Sequence, residues 1–267
     1  MVHAHAGADP RMLALLPSAP LVLTIHDLVP HPGQPVPRPA PRRWFLDAAR
    51  RAWRRRASVI VVHSTRLEPQ VALRPHQRCV VIPHGMQVRD RPLAPPARAA
   101  VGFFGRLAPY KGLDVLARAM PRVWTTRPDV HLHVAGAGDA GLVLQDPRVR
   151  LDGEYLPEAE LERFFAGVTV AALPYTEASQ TGAGSTAIGY GVPIVASRLG
   201  GLPDLTLDES YLFEAGDDAG LAARIVAHLG DDASVRERVL AELAAPRSWA
   251  AVARRSLALY EGLAAQR

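Results

Sequence analysis

From Val101 onward the chain repeats one pattern: a short apolar run, a loop, and then a stretch with helical spacing. Val101–Gly105, His131–Gly136, Val149–Gly153, Val168–Tyr175, Pro193–Ser197 and Tyr211–Glu214 read as strands, with helical patterns between several of them. This alternation leaves few architectures open, because parallel strands need long crossovers and strands this apolar must be covered on both faces. The expected fold class is α/β, with a parallel six-stranded sheet in this half of the chain. In such a sheet ligands sit at the carboxyl ends of the strands, where loops lead into helix N-termini. Upstream, Leu21–Ile25, Val59–Val62 and Val80–Ile82 read as strands and Arg42–Arg56 as a helix, which makes a shorter unit of the same kind. Met86–Ala99, with Pro92, Pro95 and Pro96, reads as a linker and puts the boundary near residue 95. Pro30–Pro41 reads as a loop inside the first unit.

The loop after Val101–Gly105 carries the most pointed chemistry. Lys111 is the only lysine in a chain with 31 Lys and Arg, and it shares Gly105-Arg106-Leu107-Ala108-Pro109-Tyr110-Lys111-Gly112 with Arg106. A planar guanidinium fork beside a point-like ammonium suits a diphosphate; the competing reading is a surface turn with solvated charges. A second constellation runs from Ala171-Ala172-Leu173-Pro174-Tyr175 through Glu177 and Gln180-Thr181-Gly182 to Ala183-Gly184-Ser185. Here a strand passes through a polar loop into a helix whose first turn has almost no bulky side chains. Ligand oxygens can approach its unpaired backbone N–H groups, which defines an anion site. Glu177 can accept hydrogen bonds from two vicinal hydroxyls, as a hexose offers. The alternative is small residues for tight helix–sheet packing, with Glu177 solvated.

Composition narrows the classes. At 48% hydrophobic and 21% charged residues the chain is an ordinary globular protein. No run approaches the ~18 apolar residues of a membrane span, and no basic-then-apolar leader opens the chain, so the expected location is cytoplasmic. The single Cys79 leaves no intramolecular disulfide or cysteine-based metal cluster. His3 and His5 on one expected strand are two ligands without a third, and no Asp-x-Asp occurs. Residues 1–95 carry a net charge of about +9 and the remainder about −4. Much of the excess lies on Arg42–Arg56, where Trp44, Phe45, Ala48, Ala49, Ala52 and Trp53 mark one face and arginines the other. That face is either solvated or a contact for an anionic membrane surface or an acidic acceptor. No nucleic-acid-binding motif accompanies it.

Taken in order, Gly105–Asp114, His133-Val134-Ala135-Gly136-Ala137-Gly138, the Glu177–Gly182 segment, Gly191–Ser197 and Gly200-Gly201-Leu202-Pro203-Asp204 resemble the family 4 glycosyltransferases, retaining enzymes with the two-domain GT-B fold. Thr24-Ile25-His26-Asp27, Val62-His63-Ser64 and Ile82-Pro83-His84-Gly85 resemble the acceptor-side strands of that family. The resemblance implies two Rossmann-like domains: an acceptor-side domain over residues 1–95, a donor-binding domain over 96–246, and a C-terminal helix over 247–267 crossing back to the first. It implies transfer of a hexose from a nucleotide diphosphate-sugar to a hydroxyl acceptor, saccharide or lipid-linked, with no metal and no cofactor beyond the donor. Arg106 and Lys111 would hold the diphosphate, and Glu177 the sugar hydroxyls. Gly105 and the backbone of Gln180, Thr181 and Gly182 would line the donor, while His26 would face the transferred sugar. His63 and His84 read as framework residues.

Two departures from the family stand out. Ser185 occupies the place of a second glutamate that often reaches the ribose. The chain also opens on Val2-His3-Ala4-His5, which reads as a mid-domain strand, with no counterpart of the family's Gly-rich first loop. The expectation is a shortened acceptor domain with an exposed sheet edge and a tendency to self-associate. Three readings therefore stand at this point: a transferase, a non-catalytic sugar-nucleotide binder or inactive fragment, and a phosphorylase carrying a pyridoxal cofactor on Lys111.

Overall fold

The computed structural model describes residues 1–5, 12–13, 19–26, 40–138, 146–153, 156–178 and 181–265, the side chains of 40–46 excepted. Gln180, Asp27, most of the Pro30–Pro41 loop and the side chains of Arg42, Arg43, Trp44 and Phe45 lie outside the described residues. The chain divides into two compact units, Met1–His84 with Ala250–Arg267, and Gly85–Trp249.

In the first unit, strands β1 (Val2–His5), β2 (Leu21–Thr24), β3 (Val59–Val62) and β4 (Arg78–Val81) pair in parallel in that order, and helix α1 spans Ala40–Arg56. Both faces of β2 and β3 are apolar, and the two-residue period sorts them cleanly. Leu21, Leu23, Ile60 and Val62 pack with Trp53 of α1. Val22, Val59, Val61 and Ile82 pack instead with Leu259 and Leu263 of the C-terminal helix Trp249–Ala265. Each such aliphatic side chain, buried in full, contributes about 1.5–3 kcal/mol. The four strands share one polarity, so their carboxyl ends lie on one edge. Each delivers a histidine there: His5 ends β1, His26 follows β2, His63 follows β3 and His84 follows β4.

In the second unit, strands β5 (Ala100–Phe104), β6 (His131–Ala135), β7 (Val149–Asp152), β8 (Val170–Leu173), β9 (Ile194–Ser197) and β10 (Leu212–Phe213) form an all-parallel sheet of order β10-β9-β8-β5-β6-β7. Helices α2 (Leu113–Thr126), α3 (Glu158–Ala166), α4 (Gly182–Gly189), α5 (Asp218–His228) and α6 (Ala233–Arg238) cover it. Alternation is visible residue by residue. Val170, Ala172 and Val195 pack with Leu116, Met120, Leu221 and Ile225 of α2 and α5. Ala171, Leu173, Ile194 and Ala196 pack on the other face with Phe164, Phe165, Ala187 and Ile188 of α3 and α4.

Several strands are shorter than their apolar runs. β8 stops at Leu173 because Pro174 has no N–H to continue the ladder. It starts only at Val170 because the Thr169 hydroxyl is engaged by the Ala100 N–H. β10 keeps just Leu212 and Phe213, since Tyr211 belongs to a 3₁₀ turn and stacks on His228.

The strand order reverses between β5 and β8. After β5 the chain moves outward through β6 and β7, and β8 then returns to the opposite side of β5. In an open parallel sheet that reversal leaves a crevice at the carboxyl ends of the two adjacent strands.

Candidate functional site

The loops after β5 and β8 frame this crevice and are bonded together. The Thr176 N–H donates to the Tyr110 carbonyl at 2.8 Å, and the rings of Tyr110 and Tyr175 meet edge to face at 6.1 Å. Gly112 takes a left-handed conformation, φ 67°, at the start of α2. A Cβ there would stand 1.8 Å from the Pro174 carbonyl oxygen. Only glycine allows both the dihedral and so close a passage of the two loops.

Lys111 ends the 3₁₀ turn Pro109–Lys111 and is buried, 8% exposed. Its ammonium donates to the Tyr175 hydroxyl at 2.8 Å and lies 4.8 Å from that ring's centroid. The Tyr175 and Thr181 hydroxyls are 3.0 Å apart, and Thr181 Oγ1 also accepts from the Gly184 N–H at 3.3 Å as the N-cap of α4. Tyr175 accepts from Lys111, and either hydroxyl can donate across the Tyr175–Thr181 contact. Burial pushes the Tyr175 phenol well above its ordinary range, so it remains protonated.

Among the described residues no carboxylate pairs with Lys111. Burial, and then the neighbouring Arg106 guanidinium, lower its pKa to about 8. A buried ammonium facing a like charge is costly by itself and is suited to an anion arriving from solution. Gly105, φ 116°, keeps the approach open: a Cβ there would stand 2.9 Å from Lys111 Nζ.

Of the residues singled out from sequence, the second unit holds Gly105, Arg106, Lys111, Glu177, Thr181 and Gly182 on these two loops and the first turn of α4. Arg106 and Glu177 are exposed. Gly182 opens α4 and is exposed, and nothing among the described residues would lie within 4 Å of an added Cβ. Gln180 lies outside the described residues. Tyr175 was missed as a site residue. Its signal was a lone hydroxyl-bearing aromatic on the last position of an apolar run, just before a polar loop.

His26 belongs to the first unit and is half-buried. His63 Nδ1 donates to the Ile82 carbonyl at 2.8 Å, and His63 Nε2 is 3.0 Å from His26 Nδ1. His26 Nε2 is in turn 3.0 Å from His5 Nδ1, with the two rings stacked. His84 stands 5.2 Å from His63 and 6.1 Å from His26, ring to ring. His3 takes a separate path to Thr24 Oγ1, at 2.7 Å, and to the Tyr260 hydroxyl. Among the described residues no group of three or more His, Cys, Asp or Glu is arranged to hold a metal ion, and no helix is long and apolar enough to cross a membrane.

The Lys111 amine ties affinity and stability to pH with opposite signs. Its charged form is the one that attracts a diphosphate. Affinity for a nucleoside diphosphate is therefore expected to fall about tenfold from pH 7 to pH 9, as the free protein loses that proton through a pKa of about 8. Between pH 8 and about 10.5 the unfolded chain binds more protons at this position than the folded one, so its contribution to folding stability rises with pH. Calorimetric titration at the two pH values checks the first statement, and a Lys111→Ala variant with the same pH slope as the parent would remove Lys111 as its cause.

The profile of the family described as Glycosyl transferases group 1 matches residues 98–231, half of the chain. This chain belongs to that family. Among curated proteins it is similar to the D-inositol 3-phosphate glycosyltransferase of Segniliparus rotundus, 30% identical over 126 residues, covering 43% of this chain and 28% of that protein. It is also similar to the phosphatidyl-myo-inositol mannosyltransferase of Propionibacterium freudenreichii, 27% identical over 282 residues, covering 97% of this chain and 69% of that protein. The match thus spans less than a third of the first of these relatives. Among solved structures, sucrose-phosphate synthase from Thermosynechococcus elongatus superposes with a TM-score of 0.74 at 20% identity, over 100% of this chain and 74% of that one. The Anabaena protein HepE, solved in complex with UDP-glucose, gives 0.67 at 19% identity, over 91% and 72%. The fold is of the GT-B type, with a Rossmann-like domain in each unit.

Proposed function

We propose that this protein is a retaining, family 4 glycosyltransferase that moves a hexose from a nucleotide diphosphate-sugar to a hydroxyl acceptor without a metal ion. One observation carries the reading: a buried ammonium with no carboxylate partner among the described residues, held by Tyr175 next to Arg106 at the strand-order reversal, beside the N-terminus of α4. Lys111 and Arg106 bind the diphosphate and offset the charge that develops on it as the glycosidic bond breaks. The Gly182 and Ala183 N–H groups at the start of α4 add neutral donors to the same anion. Glu177 accepts from the sugar hydroxyls, Gly105 and the Gln180–Gly182 backbone line the donor, and His26 serves the transferred sugar. The acceptor attacks the face that the diphosphate leaves. Two relatives are named for inositol-bearing compounds, which favours a polyol hydroxyl as acceptor. The exposed Arg50, Arg51, Arg55 and Arg56 of α1 give the first unit a basic surface suited to peripheral contact with an anionic membrane.

The test is a thermal-shift panel of nucleoside diphosphates and nucleotide sugars, paired with Glu177→Gln. A ligand at a hundred times its dissociation constant adds about 2.7 kcal/mol of stability. At least one nucleotide is expected to raise the transition, and Glu177→Gln is expected to weaken the sugar nucleotide more than the bare diphosphate. A panel without any shift sinks the donor assignment. Equal losses for both ligands remove Glu177 from the sugar.

A further inference from the structure

The carboxyl edge of the first unit's sheet holds a run of imidazoles, His5–His26–His63, ending on a backbone carbonyl. A carbonyl can only accept, so the hydrogen between His63 and Ile82 sits on His63 Nδ1. Burial, the largest cause, holds the His63 pKa down to about 4, with His26, His84 and His5 adding like-charge repulsion. His63 is therefore neutral near pH 7, and its Nε2 carries a lone pair. The 3.0 Å contact then requires a hydrogen on His26 Nδ1. A neutral His26 must in turn present a lone pair at Nε2, where the exposed His5 donates from Nδ1 at 3.0 Å. His5, His63 and His84, one from each of the other three strand ends, face His26.

We propose that His63 is a positioning residue that locks His26 as the Nδ1–H tautomer, so that His26 acts as a hydrogen-bond acceptor through Nε2, with His5 as its exchangeable partner at that atom. A neutral imidazole in water favours the opposite tautomer, hydrogen on Nε2, and would present a donor instead. The tautomer decides the direction in which His26 hydrogen-bonds a substrate group. As an acceptor it takes the hydrogen of a hydroxyl, on the sugar or on the acceptor, once His5 gives way. As a donor it would give its hydrogen to an oxygen instead, whether of a phosphate, a carbonyl or a hydroxyl. The part of the proposal that concerns transfer rests on the glycosyltransferase reading above.

The experiment is ¹⁵N NMR of the imidazoles in the full chain near neutral pH, with His63→Leu and His63→Gln. The leucine has no acceptor, whereas the glutamine oxygen can stand where Nε2 stood. His26 is expected to be Nδ1-protonated in the parent, to shift toward Nε2–H in His63→Leu, and to return to Nδ1–H in His63→Gln. Turnover at saturating donor is expected to fall roughly tenfold or more in the leucine variant with the donor KM unchanged, and to recover in the glutamine variant. A parent His26 protonated on Nε2, or a His26 tautomer indifferent to His63→Leu, overturns the proposal. So does a turnover loss that glutamine fails to restore while the tautomer returns. If no nucleotide binds at all, the transferase reading fails, and the parent spectrum still decides the tautomer.

Discussion

Lys111→Ala is expected to weaken nucleoside diphosphate binding by about 1.5–3 kcal/mol, roughly 10- to 150-fold, with little change in unfolding free energy. The size follows from the environment. Lys111 is buried beside Arg106, is held by the Tyr175 hydroxyl, and has no carboxylate partner among the described residues, so little else screens its attraction for an arriving anion. Stability changes little because two effects oppose each other: the variant loses packing and one hydrogen bond, and it also loses the cost of burying a charge. Arg106→Ala is expected to follow in the same direction with a smaller loss, since the guanidinium is exposed and more screened. Isothermal calorimetry on each variant reads the effect. Unchanged affinity in both would place the diphosphate elsewhere.

Gly112→Ala is expected to be strongly destabilising, costing on the order of 2–5 kcal/mol of stability. Two penalties add. The residue is left-handed at φ 67°, and its new Cβ would meet the Pro174 carbonyl oxygen at 1.8 Å, a backbone atom that cannot rotate away. Relief requires the loops after β5 and β8 to separate, which would also move Lys111 away from Tyr175, so nucleotide binding should fall with stability. Gly182→Ala is the control. Its Cβ would meet nothing within 4 Å among the described residues and its position is helical, so its unfolding midpoint should match or exceed the parent's. Similar denaturation midpoints for the two variants would show that the Gly112–Pro174 passage does not constrain the unit.

What could be read from the sequence was governed by how local each feature is. The six strands of the second unit announce themselves because both faces of a covered parallel sheet are apolar, and even the two-residue β10 sits within an apolar run. Arg106 and Lys111 can be singled out because they share one short loop with glycines at both ends. Tyr175 cannot, because its contact is with a partner 64 residues away, and an aromatic at a strand end looks like packing from sequence alone. The histidines show the same limit. His63 and His84 read as framework, and His3 with His5 as a strand fragment, because the order and register in which the four strands pair are not written along the chain. The register that brings His5, His26 and His63 within hydrogen-bonding distance is a property of strand pairing.

The solitary lysine has a practical consequence. A protein whose cationic side chains are otherwise all arginine offers acylating and reductive-alkylating reagents one ε-amine in 267 residues. That amine, with a pKa of about 8, is far more nucleophilic at neutral pH than an ordinary lysine, although its burial slows the reagent. Covalent labelling at Lys111, followed by peptide mapping that separates it from the terminal α-amine, therefore reports on the candidate diphosphate pocket without any engineered tag. A nucleotide that fills the pocket and fixes the proton on the amine would silence the signal.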